Sequence, residues 1–189
     1  MSGKVTGNSK PTIGADFSKK EVMIDGQNVT LQIWDTAGQE KFQSLGYAFY
    51  RGADCCVLCY DITSKNSFEN LNKWKQGFIE NAGPEDISSF PFILIGNKVD
   101  RENERKVETR EAEDWARKNG DILFYETSAK EGIKVETAFH EVAKKSLVRS
   151  STGNIFMPDS IGGASGALKL QADKDKGNQR KSTTKSSCC

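Results

Sequence analysis

Apolar and polar side chains alternate near the start of the chain, over residues 22–24 and again over 29–33. The dipeptide Asp25-Gly26 lies between these stretches and is a strong signal for a tight hairpin turn. Alternation with a period of two is typical of a half-buried strand. The pattern therefore predicts an antiparallel pair of strands whose second member ends at Asp35.

Two unbroken apolar runs, 55–60 and 92–95, follow this hairpin, and 123–125 is a weaker third run. Unbroken runs are typical of strands that are covered on both faces of a parallel sheet. Helical spacing of apolar side chains recurs between and after the runs. The three helical faces are Phe68, Leu71, Trp74 and Phe78; Ala112, Trp115 and Ala116; and Val135, Ala138, Phe139 and Val142. Strands that alternate with helices predict an α/β sheet.

The composition fits one globular domain followed by a tail. The chain has 189 residues, of which 36% are hydrophobic, and this is enough for a sizeable core. Apolar side chains thin out from Ser150 onward, where Gly, Ser, Lys and Thr take over. We therefore predict a leader over 1–10, a globular domain over 11–149 and a disordered tail over 150–189.

The charge balance and the apolar runs limit the kinds of partner. Lys and Arg number 27 and Asp and Glu 26, so no overall basic field favours nucleic acid as a partner. The apolar runs are far shorter than the roughly 20 residues that a membrane-spanning helix needs. We expect the chain to be cytosolic or peripheral to a membrane.

The five cysteines fall into two groups. Cys55, Cys56 and Cys59 lie in an apolar run, where we expect them to be buried as small hydrophobic side chains. Cys188 and Cys189 are the last residues of the sequence. These spacings match neither a disulfide framework nor a zinc site, and the single histidine is isolated from them. This usage fits a reducing, cytosolic setting.

Polar side chains follow the predicted strands, at the edge where ligands bind in an open α/β sheet. Asp35 ends the hairpin and can hold Mg²⁺ through water, while Gly38 permits close backbone approach to a phosphate. The neutral amide of Gln39 can orient an attacking water. A plain turn is the alternative explanation of Asp35-x-x-Gly38 taken alone.

The loops after the next strands carry a second group of polar residues. Asn97-Lys98-x-Asp100 offers a carboxylate that can accept two donors from guanine, an amide for its other edge, and an aliphatic stem to lie along the ring. A polar loop after a buried strand is the alternative for this tetrapeptide alone. Because segment 128–130 follows the next run, two separate loops match one base-binding site and favour guanine over adenine.

These motifs resemble those of the Ras superfamily and, within it, the Rab branch. Rab-like features are segments 13–17 and 50–54, the run 34–40 and the final Cys188-Cys189 pair. The block from 12 to about 147 is most similar to the late-endosomal and lysosomal Rab. The resemblance implies a small GTPase sheet of the P-loop NTPase type, with helices on both faces, that hydrolyses GTP and regulates vesicle transport.

The resemblance also implies a role for each motif residue. Thr12 would coordinate Mg²⁺ and sense the γ-phosphate of GTP, and Asp35 would hold the same ion through water. Gly38 would also sense the γ-phosphate, while Gln39 would position the catalytic water. The residues that would bind the base of GTP or GDP are Asn97, Lys98, Asp100, Ser128, Ala129 and Lys130.

Protein and membrane partners follow from the same resemblance. Phe17, Trp34 and Phe49 match the exposed aromatic triad through which Rab proteins meet effectors, with ordinary core packing as the alternative. The Cys188-Cys189 ending resembles the doubly geranylgeranylated Rab terminus, with two incidental thiols as the alternative. An exchange factor, an activating protein, and escort and dissociation-inhibitor proteins are implied. Tail lysines favour an anionic surface, so we expect attachment to late endosomal and lysosomal membranes, with a cytosolic pool.

One family element is not found in the sequence. Rab proteins begin with a strand, a Gly-x-x-x-x-Gly-Lys-Ser/Thr loop and a helix, and residues 1–10 fit none of these. We therefore expect weak nucleotide binding, little GTPase activity and low stability. The missing strand would lie between the strand ending at Asp35 and the 55–60 run, leaving two unpaired edges. A non-enzymatic Rab-derived binding protein or a nonfunctional truncated form is the alternative function.

Overall fold

The computed structural model describes residues 11–38 and 47–152, with side chains described as far as Arg149. These ranges form five strands and four helices, with two short 3-10 segments at Tyr47–Phe49 and Val99–Glu104. The strands are β1 (Ala15–Ile24), β2 (Gln27–Thr36), β3 (Cys56–Asp61), β4 (Phe92–Asn97) and β5 (Leu123–Thr127). The helices are α1 (Lys65–Glu69), α2 (Leu71–Ala82), α3 (Thr109–Lys118) and α4 (Val135–Thr152).

Strands β1 and β2 form the predicted antiparallel hairpin. Their pairing runs without a break from Ala15 opposite Thr36 to Ile24 opposite Gln27. The turn residues have left-handed backbone angles, with φ of 47° at Asp25 and 80° at Gly26. A tight hairpin turn of this hand needs positive φ at both positions, which explains the local sequence. The hairpin prediction is confirmed, with β2 reaching one residue past Asp35.

Strands β3, β4 and β5 form a parallel sheet in which β4 is central. The side chains of β4 are buried from Phe92 to Ile95, as its unbroken apolar sequence predicts. They alternate between the two faces of the sheet, as strand geometry requires. The α/β prediction, with helices packed on both faces of a parallel sheet, is confirmed.

Two separate clusters of buried side chains lie on the two faces. The first core joins β3 and β4 to α1, α2 and α3, and Leu94 of β4 is fully buried in it. The second core joins the hairpin and β4 to α4. Its buried members are Ile24, Leu31, Ile93, Ile95, Ala138, Val142 and Ala143. Helix α4 and the hairpin therefore share one face, opposite the other three helices.

The first helical pattern of the sequence contains a break that periodicity did not predict. It divides into α1 and α2, with Asn70 between them. Asn70 keeps right-handed dihedral angles (φ −74°, ψ −7°), so the apolar face continues across the junction. Phe68 and Leu71, on either side of it, are both buried in the first core. The predicted face is thus correct although the helix is divided.

The expectation that the run 55–60 is covered on both faces is wrong for β3. Cys59 is exposed, and Cys55 and Cys56 are only half-buried. Strand β3 lies at the edge of its sheet, and its inward-facing residues alternate with Cys59. In the described ranges, β2 and β3 share no strand pairing.

The last described helix extends beyond the predicted end of the domain. Helix α4 continues to Thr152, three residues past the predicted boundary at 149. A helix propagates through its backbone hydrogen bonds, so the loss of apolar side chains does not mark its last residue. The predicted leader (1–10) and the rest of the tail (153–189) lie outside the described residues. None of the helices described here combines the length and apolar content needed to cross a bilayer.

Candidate functional site

The carboxyl ends of the parallel strands bring two polar loops side by side. Asn97 is the last residue of β4, Thr127 is the last residue of β5, and the two are paired in the sheet register. The loops that follow, 97–100 and 128–130, therefore start at neighbouring positions. This edge is where open α/β sheets bind ligands.

Hydrogen bonds join the two loops directly. The Ala129 backbone N–H donates to Asn97 Oδ1 at 3.0 Å, and the Ser128 hydroxyl donates to Asp100 Oδ1 at 2.6 Å. Ser128 is fully buried and also accepts the Glu131 N–H at 3.0 Å. Each loop thus orients a polar side chain of the other. The structure brings together Asn97, Asp100, Ser128 and Ala129, as the motifs predicted.

Asp100 is held in the charge state that hydrogen-bond acceptance requires. The hydrogen bond from Ser128 places the pKa of its carboxyl group below the ordinary value. Asp100 is therefore ionised throughout the neutral range. An ionised carboxylate only accepts hydrogen bonds, so it suits the N–H donors on one edge of guanine.

Lys98 is anchored by a residue that sequence reasoning missed. Its Nζ lies 2.7 Å from Asp61 Oδ2 at the end of β3. Asp61 Oδ1 also accepts the Thr63 backbone N–H at 2.8 Å and the Thr63 hydroxyl at 2.7 Å. The sequence does contain a signal for this position. An aspartate that ends an apolar run two positions before a threonine is typical of a turn in which the carboxylate accepts local hydrogen bonds.

The charge of Asp61 follows from these contacts. Burial raises the pKa of its carboxyl group, but hydrogen bonds from Lys98 and Thr63 outweigh burial and lower it overall. Asp61 is therefore a carboxylate at neutral pH. It fixes the ammonium of Lys98 and leaves the aliphatic stem as the part of that side chain suited to a flat base.

The side chain of Lys130, the remaining member of the predicted base-binding group, pairs with its neighbour in sequence. Its side chain is 66% exposed, and its Nζ lies 3.3 Å from Glu131 Oε1. This contact is a surface ion pair between chain neighbours, of a kind that holds a side chain only weakly. The base-binding role of Lys130 stays a prediction.

The predicted metal residues meet at the open end of the hairpin. The Thr12 hydroxyl donates to Asp35 Oδ2 at 2.8 Å, across 23 residues of sequence. Hydroxyl and carboxylate oxygens are ligands that suit Mg²⁺, so the pair fits the ion. Among the residues described, no three His, Cys, Asp or Glu side chains converge. Waters and phosphate oxygens would have to complete the coordination.

The catalytic end of the site is only partly described. Gly38 is exposed, and no described atom lies within 4 Å of the position that a Cβ would take there. Packing within these ranges therefore gives no reason for a glycine at this position. Gln39, the predicted catalytic residue, belongs to the segment 39–46 outside the described residues. Cys188 and Cys189 also lie outside them.

The three predicted effector-binding aromatics form one continuous stack. Phe17 and Trp34 are paired across the hairpin with ring centroids 4.7 Å apart, and Trp34 stacks on Phe49 at 4.7 Å and 24°. Phe17 is 40% exposed and Trp34 38%, while Phe49 is half-buried. Exposure on this scale does not fit ordinary core packing. The stack is a surface feature, suited to a partner that supplies apolar area.

Sequence reasoning also missed Arg105 and Glu126, which form an ion pair beside the two base loops. Their separation of 21 residues shows why, because no local spacing relates them. Arg105 lies in a stretch of alternating charges, a pattern that is typical of a solvent-exposed surface and does not indicate a buried ion pair.

Comparison with known proteins agrees with this geometry. The model of the Ras family matches residues 1–148. A Ras-related protein Rab7 of Drosophila melanogaster is 56% identical over 154 residues, covering 80% of this chain and 74% of its own length. The Ras-related protein Rab-7a of Dictyostelium discoideum is 55% identical over 159 residues, covering 84% and 78%. Rab-7b of Paramecium octaurelia is 44% identical over 189 residues, covering 100% and 86%. The chain therefore belongs to the Ras family of small GTPases and, within it, to the Rab proteins related to Rab7.

Proposed function

We propose that this chain is a Rab-type GTP-binding protein that regulates vesicle traffic to late endosomes and lysosomes. One observation carries the nucleotide part of the proposal. Two loops at adjacent strand ends are joined by the Ala129–Asn97 and Ser128–Asp100 hydrogen bonds. Family membership and the likeness of block 12–147 to the late-endosomal and lysosomal Rab support the cellular role.

In this proposal, guanine lies against the joined loops. Asp100 accepts its N–H donors, Asn97 meets its other edge, and the stem of Lys98 lies along the ring. Ser128, Ala129 and Lys130 support the base from the second loop.

On the phosphate side, Thr12 would hold Mg²⁺ through its hydroxyl, and Asp35 would hold the ion through water. Such an ion would supply positive charge that offsets the charge of the phosphates. Gly38 senses the γ-phosphate through its backbone, and Gln39 orients the attacking water. Binding of GTP or GDP then selects between two states with different affinity for effectors.

The phosphate side of the site is weaker than the base side in these 189 residues. The sequence contains no Gly-x-x-x-x-Gly-Lys-Ser/Thr loop, whose backbone N–H groups and lysine cradle the phosphates in this class. Catalysis of phosphoryl transfer depends on such positioning and charge stabilisation. We propose that a chain of these residues holds nucleotide weakly and hydrolyses GTP slowly.

The partners in this proposal belong to two surfaces. The Phe17–Trp34–Phe49 stack binds effectors, since it offers exposed aromatic area at the edge of the hairpin. Lipids on Cys188 and Cys189 attach the chain to the cytosolic face of late endosomal and lysosomal membranes, because two chains meet the requirement for stable anchoring. Exchange, activating, escort and dissociation-inhibitor proteins complete the cycle.

A second candidate is a non-enzymatic Rab-derived binding protein. The intact aromatic stack favours it, because this surface needs no phosphate loop. The two candidates differ in whether the chain binds guanine nucleotide.

Equilibrium binding tests the proposal, because weakly held nucleotide would be lost during purification. Fluorescently labelled GDP is titrated with the purified chain in Mg²⁺ buffer. Saturable binding that excess unlabelled GDP displaces, and that ATP does not displace, supports a GTP-binding protein. No binding to a chain shown to be folded contradicts it and favours the second candidate. Asp100→Ala is expected to abolish binding, whereas Asp114→Ala removes a carboxylate that, among the described residues, pairs with Arg117 on the surface of α3 and serves as the matched control.

A further inference from the structure

We propose that Arg105 is a positioning residue for the base site. Its guanidinium fixes the two base loops relative to each other and so sets the preference for guanine over bases that lack the 2-amino group. The inference rests on the proposed function for the identity of the ligand. The contacts of Arg105 that carry it are seen in the chain itself.

The first connection runs from Arg105 to the strand that precedes the second loop. Nη1 donates to Glu126 Oε1 at 2.6 Å, and Nη2 donates to Glu126 Oε2 at 3.1 Å. This is a two-bond pairing of planar groups, the strongest form of side-chain ion pair. Glu126 also accepts the Thr109 hydroxyl at 3.1 Å. Because Glu126 lies two residues before Ser128, its position determines where the second loop begins.

The second connection runs to the segment that contains the first loop. Arg105 Nε donates to Glu102 Oε1 at 2.7 Å, and Nη2 donates to Glu102 Oε2 at 2.7 Å. Glu102 belongs to the 3-10 segment Val99–Glu104, which includes Asp100. The remaining bond runs from Nη1 to the Val107 carbonyl at 2.9 Å. These bonds engage all the N–H donors that a guanidinium has.

Burial separates this pair from the surface ion pairs of the chain. The side chain of Arg105 is 10% exposed and that of Glu126 is 18% exposed. Arg117, in contrast, is 66% exposed and pairs with Asp114 three residues away. Loss of Arg105 would leave the Glu126 carboxylate unpaired in a largely buried position, which is strongly unfavourable. A lysine cannot replace the planar fork.

The effect on base selection follows from the contacts of Asp100. Its orientation depends on Ser128, and the position of Ser128 depends on where β5 ends beside the first loop. Guanine presents both a ring N–H and a 2-amino group to this carboxylate, whereas hypoxanthine presents the ring N–H alone. A displaced second loop therefore weakens guanine binding more than hypoxanthine binding.

The nucleotide experiment compares GDP with IDP on the full chain and on two variants. For Arg105→Gln we expect GDP to bind roughly tenfold more weakly, the scale of one charge-assisted hydrogen bond. We expect a smaller change for IDP, so the ratio of the two affinities falls. Arg105→Lys should lose the same preference, and Arg117→Gln should keep it. An unchanged ratio, or a wild-type ratio for Arg105→Lys, would overturn the proposal, since a general loss of stability weakens both ligands alike.

A second readout needs no nucleotide. We expect the amide hydrogens of Ala129 and Glu131 to exchange faster in Arg105→Gln than in the wild-type chain, while amides in β4 keep their rates and show that the fold is intact. Wild-type rates at Ala129 and Glu131 in the folded variant would refute the positioning role. If Arg105→Gln does not fold, Glu102→Ala removes one connection at a side chain that is 61% exposed, and the same two amides should still exchange faster than in the wild-type chain. A wild-type chain that binds neither GDP nor IDP would contradict the proposed function. The hydrogen-exchange test would still decide whether Arg105 positions the second loop, because it needs no nucleotide.

Discussion

Lys98 has a backbone conformation that a side chain usually avoids. Its φ is 75°, in the left-handed region, where residues other than glycine are uncommon and strained. The same residue forms the ion pair with Asp61 at 2.7 Å. A strained residue persists where its surroundings hold it, and Asp61 provides such a contact. We therefore assign Asp61 the role of keeping Lys98 in place between the strand ends.

This role predicts a pH-dependent contribution to stability. The pKa of Asp61 is lowered in the folded chain, so its contribution is present above the unfolded value near 4 and is lost as pH falls through the folded value. We expect Asp61→Asn to cost roughly 1 kcal/mol at neutral pH. The difference in melting temperature from wild type should shrink as the pH is lowered below about 4. Asp114→Asn is the control, and a difference that stays constant down to low pH would contradict the assignment.

At the scale of elements, β3 and β4 approach closely at one point. A Cβ on Gly96 would lie 2.6 Å from the Tyr60 Oη and 2.8 Å from its Cζ. Tyr60 is 3% exposed, and its hydroxyl has no hydrogen-bond partner in the described part of the chain. The ring therefore crosses the backbone of β4, and a glycine leaves the necessary space.

Gly96→Ala should consequently destabilise the sheet. We expect a loss of about 2 kcal/mol in the free energy of unfolding, since overpacking a rigid core costs energy on this scale. Urea denaturation measures it. In a double-mutant cycle, Tyr60→Leu should recover part of the loss because it removes the clashing ring. Gly38→Ala is the control, because no described atom lies within 4 Å of the added carbon. Equal effects of the two alanines would rule out the clash.

At the scale of the whole molecule, packing and not strand pairing joins the hairpin to the parallel sheet among the residues that the structure describes. Within the described ranges, β1 pairs only with β2, and β3 pairs only with β4. The second core supplies the contact, with Leu31 of β2 buried in the same cluster as Ile93 of β4 and Val142 of α4. The Thr12–Asp35 pair lies at the open end of this hairpin, so its place depends on that core.

Leu31→Ala tests this connection. Leu31 is 6% exposed. We expect the free energy of unfolding to fall by roughly 2–4 kcal/mol, as is usual when a large core side chain is replaced by alanine. The measurement is the free energy of unfolding in denaturant. Met23→Ala, at a 58% exposed position of the same hairpin, should change it by less than about 0.5 kcal/mol. Comparable losses from both variants would show that the second core does not hold the hairpin.

Much of this architecture is readable from sequence because its causes are local. The hairpin follows from alternation around Asp25-Gly26, whose backbone demands few residues can meet. The buried central strand follows from the unbroken run 92–95. The base loops follow from short motifs at the ends of two runs, and the register of Asn97 with Thr127 confirms that they meet. Periodicity and turn chemistry act within a few residues, so the chain alone determines them.

Only the tertiary structure determined side-chain exposure and ion-pair partners, because both depend on residues that are distant in sequence. The exposure of Cys59 depends on which elements pack over its face of β3, where the second core reaches Cys55 and Val57 but not Cys59, and no property of the run 55–60 encodes this. Asp61, the partner of Lys98, and Glu126, a partner of Arg105, are likewise supplied by strands distant in sequence, across gaps that have no helical or strand period. Such contacts arise only once the parallel strands are in register and their loops converge. A side chain's charge partner is thus a property of the packed fold, whereas its strand or helix is a property of the local sequence.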